Sequence, residues 1–206
     1  THGVHANADP PLAPRHTTLP EVLTGHDFRT AAFVGSDVLR PDRGVFQGFQ
    51  LYGSAVPIDG TPAHPRQRRG DLVMKDAIAW LDTVRGSRFF LWVHLYDPHR
   101  PYDPPEPYRS RYGDPYIGEI AFADAQIARL LEALDARRLG DTTMVIVAGD
   151  HGESLGDHGE LDHGIFVYES VLRVPLIIRA RGLPAARVGT VVRITDVFAT
   201  VLDLLR

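Results

Sequence analysis

A carboxylate and an imidazole stand side by side in the segment Gly149-Asp150-His151-Gly152-Glu153. The segment directly follows the apolar run TMVIVA, which is typical of a buried strand. At a strand end, with glycines that let the backbone turn sharply, Asp150 and His151 suit two ligands of a divalent metal ion. The alternative for this pentapeptide alone is an ordinary polar turn. A helical zinc motif does not fit, because Gly152 separates His151 from Glu153 and the following stretch is rich in glycine.

Two more histidines, His158 and His163, lie in the glycine-rich segment after this turn. An imidazole there can donate to an oxygen of a bound anion or protonate a leaving oxygen, because its pKa is near working pH. His163 precedes the apolar residues 165–168, so we expect it to be buried near the site. For His158 we expect a solvated loop position. The segment also carries three carboxylates, Asp157, Glu160 and Asp162. They are expected to form a solvated acidic rim, and the alternative is that they hydrogen-bond and orient the metal ligands.

The third candidate group is the segment HLYDPHRPY, residues 94–102. His94 ends an apolar run typical of a central strand and is interpreted as a satisfied core histidine. His99 lies between Pro98 and Pro101, whose rings fix the backbone, so it is the better candidate for a rigidly placed donor. A basic run is interpreted as a solvated loop, with recognition of an anionic substrate as the alternative: Arg66, Arg68 and Arg69.

The elements that position these residues alternate between strand-like apolar runs and stretches of helical periodicity. This pattern predicts an α/β fold, with a mostly parallel sheet and helices on both faces. Strands are expected at 29–34, 89–95, 143–148, 174–178 and 187–193, and helices at 19–24, 71–84, 117–140 and 195–206. The long third helix is expected to bury an apolar stripe of Ile117, Ile120, Ile127, Leu130, Leu131 and Leu134. Because open α/β sheets bind ligands at the carboxyl ends of their strands, the candidate histidines are expected at that edge.

Composition narrows the classes of protein further. With 206 residues, 44% of them hydrophobic, the chain can bury one sizeable core, and no run approaches the roughly 20 apolar residues of a membrane-spanning helix. A net charge of -4 gives no general attraction to nucleic acid. The chain has no cysteine, which excludes disulfides, a thiolate nucleophile and cysteine-ligated zinc within it. We therefore expect neither a nucleic-acid partner nor a membrane span in this chain.

In order along the chain, several segments together resemble the sulfatase family of the alkaline-phosphatase-like superfamily. These are HLYDPHRPY, the long helix, TTMVIVAGDHGESLGDHGELDHG, YESVLRVPLIIR and RITDVFATVLDLL. Residues 1–4 and the stretch LPEVLTGHDFRTAAFVGS resemble the segments that come after the nucleophile motif in such enzymes. The resemblance covers most of the chain. It implies an alkaline-phosphatase-like α/β fold that is incomplete, with residues 1–206 forming a single partial domain whose N-terminal part is missing.

The resemblance also implies roles for four residues. Asp150 and His151 would bind a divalent cation, usually Ca²⁺ in sulfatases, with Mn²⁺ or Zn²⁺ as alternatives. His99 and His163 would contact the sulfate or phosphate group of the substrate, which the resemblance implies is a small-molecule or glycan ester. Sulfatases often carry Asn in place of His151 and Lys in place of His163, and the histidine versions resemble the branch that hydrolyses phosphonate and phosphate diesters. Many members also carry Lys and His where this chain has residues 35–37, Gly-Ser-Asp.

Sulfatases take two further metal carboxylates from near the start of the domain, and their formylglycine nucleophile is formed from the cysteine of a Cys-x-Pro-x-Arg motif. The resemblance places both before Thr1. The intact parent is therefore expected to hydrolyse sulfate esters through formylglycine, while these 206 residues alone are expected to be inactive. The alternatives are a phosphodiesterase, phosphonate monoester hydrolase or phosphoethanolamine transferase, or a non-catalytic anion- or metal-binding domain. A periplasmic or secreted location is expected only if the parent carries a signal peptide.

Overall fold

A computed structural model describes residues 4, 9–54 and 67–205 of the chain. Most of the resemblance at residues 1–4, most of the expected loop at 57–70 and Arg66 of the basic run lie outside the described residues. The chain forms two compact units, Thr1–Leu134 and Asp135–Arg206, which we describe separately. The prediction of a single partial domain stays a prediction.

The first unit is built on a parallel sheet of three strands. The strands are β1 (Arg29–Val34), β2 (Leu51–Gly53) and β3 (Phe89–His94), in the order β2-β1-β3. The expected strands at 29–34 and 89–95 are confirmed, whereas the three-residue β2 is too short to show a periodicity of its own. All three strands end at the same edge, where the segment that carries His99 begins.

Helices cover both faces of this sheet, as the α/β pattern predicts. Helix α1 (Leu19–Thr24) begins with a capping box in which Thr18 and Glu21 satisfy each other's backbone N–H groups, and Thr24 at its end bonds the hydroxyl of Thr30. Helix α2 (Gly70–Leu81) buries an apolar stripe against the alternate strand positions on the opposite face. The resulting core contains Ala31, Phe33, Val73, Met74 and Ala77.

Two further helices complete the first unit: α3 (Tyr108–Arg111) and α4 (Pro115–Ala136), whose last two residues belong to the second unit. The existence and length of α4 are as expected, but its buried stripe is not. Ile117 and Ile120 are 43% and 40% exposed, while Glu119 and Gln126 are buried with Phe122. The expected stripe was wrong at its start because it was drawn through the apolar residues alone. Two polar side chains occupy buried positions there and satisfy their hydrogen bonds inside the protein.

The second unit contains an antiparallel pair of strands, β4 (Val145–Ala148) and β5 (Leu176–Arg179). Both expected strands therefore form, with shorter bounds, and the parallel pairing is confined to the first unit among the described residues. Two helices follow β4 along the chain, α5 (Glu169–Leu172) and α6 (Asp196–Leu204).

The strand expected at 187–193 is absent, and this part of the prediction was wrong. The segment has β-branched residues, but all of it is exposed, with Val191 at 92%. A strand also needs a partner for its backbone hydrogen bonds, and within the described part of the chain β5 pairs with β4 only.

Among the described residues, no helix is both long enough and apolar enough to cross a membrane.

Candidate active site

Asp150 and His151 lie just after β4, where the strand gives way to a turn. The Nδ1 atom of His151 lies 2.8 Å from the carbonyl oxygen of Gly152, so Nδ1 carries the proton and donates it, because a carbonyl can only accept. The other ring nitrogen, Nε2, lies 3.9 Å from Oδ2 of Asp150. Metal–ligand bonds of roughly 2.0–2.6 Å would let one cation reach both atoms.

The pair also fits a metal in its surroundings. The side chains of Asp150 and His151 are 80% and 39% exposed, so an ion can reach them from solvent. A ligating histidine usually donates its second ring N–H to a backbone carbonyl or a carboxylate, which fixes the direction of the ligand nitrogen. His151 does this toward Gly152. The carboxylate oxygen suits Ca²⁺ or Mn²⁺, and the imidazole nitrogen suits Zn²⁺ better than Ca²⁺, each as part of a larger ligand set.

Gly152 holds this turn against the segment that leads to β5. Its N–H donates to the carbonyl oxygen of Val171 at 2.7 Å, and a Cβ atom at this position would meet the carbonyl oxygen of Ser170 at 2.0 Å. From the sequence, the neighbouring glycines are expected to allow a sharp turn. The structure gives the reason at Gly152 as a close approach of two backbone segments.

His163 returns to this turn and stacks on His151, with ring centroids 4.0 Å apart and planes inclined by 30°. Its Nδ1 atom lies 3.2 Å from both carboxylate oxygens of Glu153. The Glu153 side chain is only 5% exposed and that of His163 is 20% exposed. The structure thus brings Asp150, His151 and His163 together. It adds Glu153, which was missed from the sequence although its place two residues after His151 was a signal.

A second arrangement near this turn has metal-ligand spacing. Glu153, Asp162 and His163 each offer a ligand atom, and these atoms lie within 4.8 Å of one another. Contacts of Nδ1 of His163 with Glu153 at 3.2 Å and with Oδ1 of Asp162 at 3.0 Å account for that spacing without an ion. The pair Asp150 and His151 therefore remains the better candidate for the metal.

The acidic rim divides into exposed and buried carboxylates. Asp157 and Asp162 have side chains that are 56% and 51% exposed, as expected. Glu160 is only 6% exposed, so the expectation was wrong for this residue. Its Oε1 atom accepts the N–H groups of Ile165 and Phe166 at 3.2 and 3.3 Å, which ties down the loop after His163.

His158 is solvated and His94 is hydrogen-bonded, as expected, although His94 is half-buried and not in the core. His158 has a side chain that is 56% exposed, and its ring lies against Tyr168 with centroids 4.1 Å apart. His94, at the end of β3, accepts the N–H of Gly35 at Nδ1 over 3.4 Å. In the described part of the basic run, Arg68 pairs with Asp76 and Arg69 with Asp71. The expectation of a solvated run was wrong for Arg68, whose side chain is only 12% exposed.

His99 lies in the first unit, in the proline-rich loop after β3. Its Nδ1–H donates to the carbonyl oxygen of Arg100 at 2.6 Å, so in the neutral ring Nε2 accepts the hydroxyl hydrogen of Tyr96 at 3.0 Å. The rings of Tyr96 and His99 are stacked, with centroids 4.2 Å apart. The sequence pattern singles out His99 but not Tyr96. The position of Tyr96 three residues before His99 was the available signal for their contact.

Two carboxylates hold the same loop, Asp97, which is half-buried, and Glu119, which is buried. Oδ2 of Asp97 accepts the N–H of Gly70 at 2.9 Å, at the start of α2, and burial raises the pKa of Asp97. Glu119, 4% exposed on α4, accepts the N–H of His99 at 3.2 Å and that of Asp103 at 2.8 Å. Burial raises the pKa of Glu119 to about 7, and the charges of Asp97 and Asp103 act in the same direction. Glu119 was missed because its helix was assigned an apolar stripe.

The family model described as Sulfatase matches residues 1–206. Over 162 residues the chain is 29% identical to the uncharacterized sulfatase YidJ of Escherichia coli (strain K12), an alignment that covers 59% of this chain and 32% of that protein. The chain thus spans about a third of the length of this relative.

Solved structures share the fold. The structure of BT4656 in complex with its substrate D-glucosamine-2-N,6-O-disulfate matches with a TM-score of 0.68 and 19% identity, over 87% of this chain and 58% of that one. The phosphonate monoester hydrolase of Agrobacterium radiobacter matches with a TM-score of 0.65 and 20% identity, over 82% of this chain and 54% of that one. These neighbours support the alkaline-phosphatase-like α/β fold expected from the sequence.

Proposed function

Because the chain belongs to the sulfatase family, we propose that the complete protein hydrolyses sulfate esters and that this chain supplies part of its active site. In this proposal Asp150 and His151 bind a divalent cation, and His99 and His163 contact the sulfate group. The observation that carries the proposal is the pair of ligand atoms after β4, Oδ2 and Nε2, 3.9 Å apart beside the stacked ring of His163.

The cation, when bound, would withdraw charge from the ester oxygens. Ca²⁺ is the first candidate because sulfatases usually hold it, and the imidazole ligand keeps Mn²⁺ and Zn²⁺ as alternatives. Asp150 contributes negative charge and His151 a neutral nitrogen whose direction is set by its bond to Gly152. The remaining ligands, two carboxylates in the family, are proposed to come from outside this chain.

His163 is proposed to act on the substrate and not on the metal. The carboxylate of Glu153 accepts the proton on Nδ1, so the exchangeable proton of a general acid would be carried on Nε2. Contact with both oxygens of a nearly buried carboxylate also restricts rotation of the ring. His163 can thereby present Nε2–H to the leaving oxygen of the ester.

His99 is proposed to stabilise the charge on the sulfate oxygens. Its ring is held on both sides, by the carbonyl of Arg100 at Nδ1 and by the hydroxyl of Tyr96 at Nε2. Since Nδ1–H is bonded to the carbonyl of Arg100, His99 can donate to the sulfate only through Nε2. In this proposal Nε2 therefore carries a proton when the anion binds, and the hydroxyl of Tyr96 turns away from it.

The nucleophile is proposed to be a formylglycine from outside these 206 residues, since the chain contains no cysteine to form one. The substrate is proposed to be a small-molecule or glycan sulfate ester.

A second candidate is hydrolysis of a phosphonate monoester or phosphodiester. It is favoured by His151 and His163, which stand where sulfatases often carry Asn and Lys.

Paired assays on the complete protein test the proposal. A nitrophenyl sulfate and a nitrophenyl phosphonate ester are offered with Ca²⁺, Mn²⁺ or Zn²⁺ after chelator treatment. We expect metal-dependent turnover with the sulfate ester preferred. Preference for the phosphonate ester would select the second candidate, and full activity in the chelated protein would contradict the role of Asp150 and His151.

A further inference from the structure

We propose that Glu119 is a positioning residue of the active site. Its buried carboxylate fixes the loop that carries His99, because it accepts the backbone N–H of His99 with one oxygen and that of Asp103 with the other. The catalytic consequence rests on the proposed role of His99. The hold on the loop does not.

The loop depends on an outside acceptor because its prolines limit the backbone hydrogen bonds that it can form within itself. Pro98, Pro101 and Pro104 have no N–H group and cannot join a ladder of backbone hydrogen bonds. The N–H groups of His99 and Asp103 lie on either side of Pro101, and both donate to one side chain, at 3.2 and 2.8 Å. A single carboxylate thus sets the spacing between the two ends of the segment 99–103.

Only a carboxylate of this length suits the position. It offers two acceptor oxygens, whereas a glutamine offers one acceptor and an NH₂ group that would face a backbone donor. Glu119 lies in the N-terminal part of α4 and is 4% exposed, so water does not replace a bond that is lost. An unmet buried donor is costly, which is why we expect the loop to shift when the carboxylate is removed.

Gln126 provides a matched comparison on the same helix. It is also polar and buried, at 3% exposure. Its Nε2 donates to the carbonyl oxygen of Phe122, and its Oε1 accepts from Arg129, both within α4. Gln126 therefore forms its hydrogen bonds within α4, while Glu119 forms its hydrogen bonds with the loop that carries His99.

Hydrogen–deuterium exchange on the complete protein tests the hold on the loop. In Glu119→Gln, the backbone amides of the peptide spanning 95–107 should exchange about three- to tenfold faster, the change expected from losing one hydrogen bond. Gln126→Leu should leave the exchange of that peptide as in the wild type. Unchanged exchange in folded Glu119→Gln would overturn the proposal.

A double-mutant cycle tests the catalytic consequence. We expect Glu119→Gln to lower kcat roughly 10- to 100-fold, as for a misplaced catalytic group, with little change in KM. In a His99→Ala background, Glu119→Gln should cost nothing more, because it acts through His99. Additive losses would overturn the positioning role and leave a general effect on folding. Gln126→Leu should stay within about twofold of the wild type.

Two further outcomes separate the inference from the proposed function. If His99→Ala is as active as the wild type, the role of His99 fails and the catalytic part of this inference fails with it, while the exchange experiment still decides the hold on the loop. If Glu119→Gln does not fold, Glu119→Asp keeps both oxygens on a shorter side chain. It should restore protection and rate in part, and full wild-type values in Glu119→Asp would contradict a position-specific contact.

Discussion

The imidazoles of His151 and His163 are both oriented through Nδ1. His151 donates to the carbonyl of Gly152, whereas Nδ1 of His163 faces the carboxylates of Glu153 and Asp162 at 3.2 and 3.0 Å. Two stacked rings with the same tautomer therefore differ in their partners, one neutral and one charged. The neutral partner suits a metal ligand, and the charged partner suits a group that carries a proton during the reaction. This difference leads to separate predictions for the two histidines.

The metal ligands should be distinguishable from the rim by metal titration of the complete protein. Asp150→Ala and His151→Ala should each weaken metal binding by more than about 100-fold and nearly abolish turnover. Loss of a residue that only orients a metal ligand typically costs roughly 10- to 100-fold. Asp157→Ala is the control, since its side chain is 56% exposed. Equal losses at all three positions would refute the assignment.

His163→Ala should leave metal affinity nearly unchanged while lowering the rate by roughly 10²- to 10⁴-fold, the range for general acid catalysis. The loss should be smaller for a nitrophenyl ester, whose leaving group needs no proton, than for a sugar or alkyl ester. Calorimetric metal titration beside kinetics on both kinds of ester measures this. A large drop in metal affinity, or equal rate losses on the two esters, would show that the residue is misassigned.

At the scale of elements, two segments of the candidate site are each held in place by one residue. One is the loop that carries His99, and the other is the turn after β4. Glu119 holds the loop from α4 through its carboxylate, and Gly152 holds the turn after β4 through the absence of a side chain. Both contacts join segments distant in sequence. Each leads to a prediction about stability.

Replacing Gly152 with Ala should disrupt the turn that carries the metal ligands. The added Cβ would meet the carbonyl oxygen of Ser170, which is backbone and cannot swing aside. We expect a destabilisation of about 1–3 kcal/mol, as for overpacked positions, together with weaker metal binding. Gly189→Ala is the control, because nothing lies within 4 Å of its added Cβ. Equal unfolding midpoints in denaturant for the two variants would contradict this reason for the glycine.

The raised pKa of Glu119 predicts a pH-dependent stability. Because its pKa in the folded protein is about 7 against 4.5 as the ordinary value, the folded state binds more protons between these values. The contribution of Glu119 is therefore fully present below about pH 4.5 and is lost as pH rises through 7. In Glu119→Gln this loss disappears. Between pH 5 and pH 8, the free energy of unfolding of the variant should rise relative to that of the wild type by on the order of 1–3 kcal/mol.

Urea unfolding of both proteins at several pH values measures that difference, and comparing the two proteins cancels the titration of groups that they share. Asp97 also has a pKa raised by burial and remains in both. A constant difference between wild type and Glu119→Gln from pH 5 to 8 would show that Glu119 titrates normally.

The sequence predicted the positions of helices and strands better than the segments against which they pack or pair. Strand β1 matched its expected bounds, and α1 its expected N-cap at Thr18, because both signals are local. The side of α4 that is buried depends on the loop around His99, which no periodicity in the helix encodes. The strand expected at 187–193 failed for a similar reason, since strand formation depends on a partner elsewhere in the chain.

The candidate site shows the same division. Asp150, His151 and His163 were found because their residue types and spacing carry chemistry, and the structure brings them to one turn. Their partners were not found. Glu153 and Glu119 are ordinary acidic residues in sequence, and only burial and distance set them apart from solvated carboxylates such as Asp157.

At the scale of the whole molecule, the chain matches the sulfatase family over residues 1–206 and spans 32% of YidJ and 58% of BT4656. The described residues supply two candidate metal ligands and two candidate anion contacts, distributed over the two units. The chain has no cysteine, so the formylglycine nucleophile of the proposed mechanism cannot form within it. Ester hydrolysis through a covalent intermediate needs both a nucleophile and groups that stabilise the developing charge.

The 206 residues by themselves should therefore show no appreciable esterase activity. The metal ligands and histidines could still polarise a bound ester, but without a nucleophile no covalent intermediate forms, and attack by bulk water lacks the advantage of a positioned reactant. Aryl sulfate and aryl phosphate assays on the purified chain, with Ca²⁺, Mn²⁺ or Zn²⁺ added, measure this. The control is the same preparation carrying His99→Ala. Turnover that survives repurification and disappears in the control would mean that the nucleophile lies within these residues.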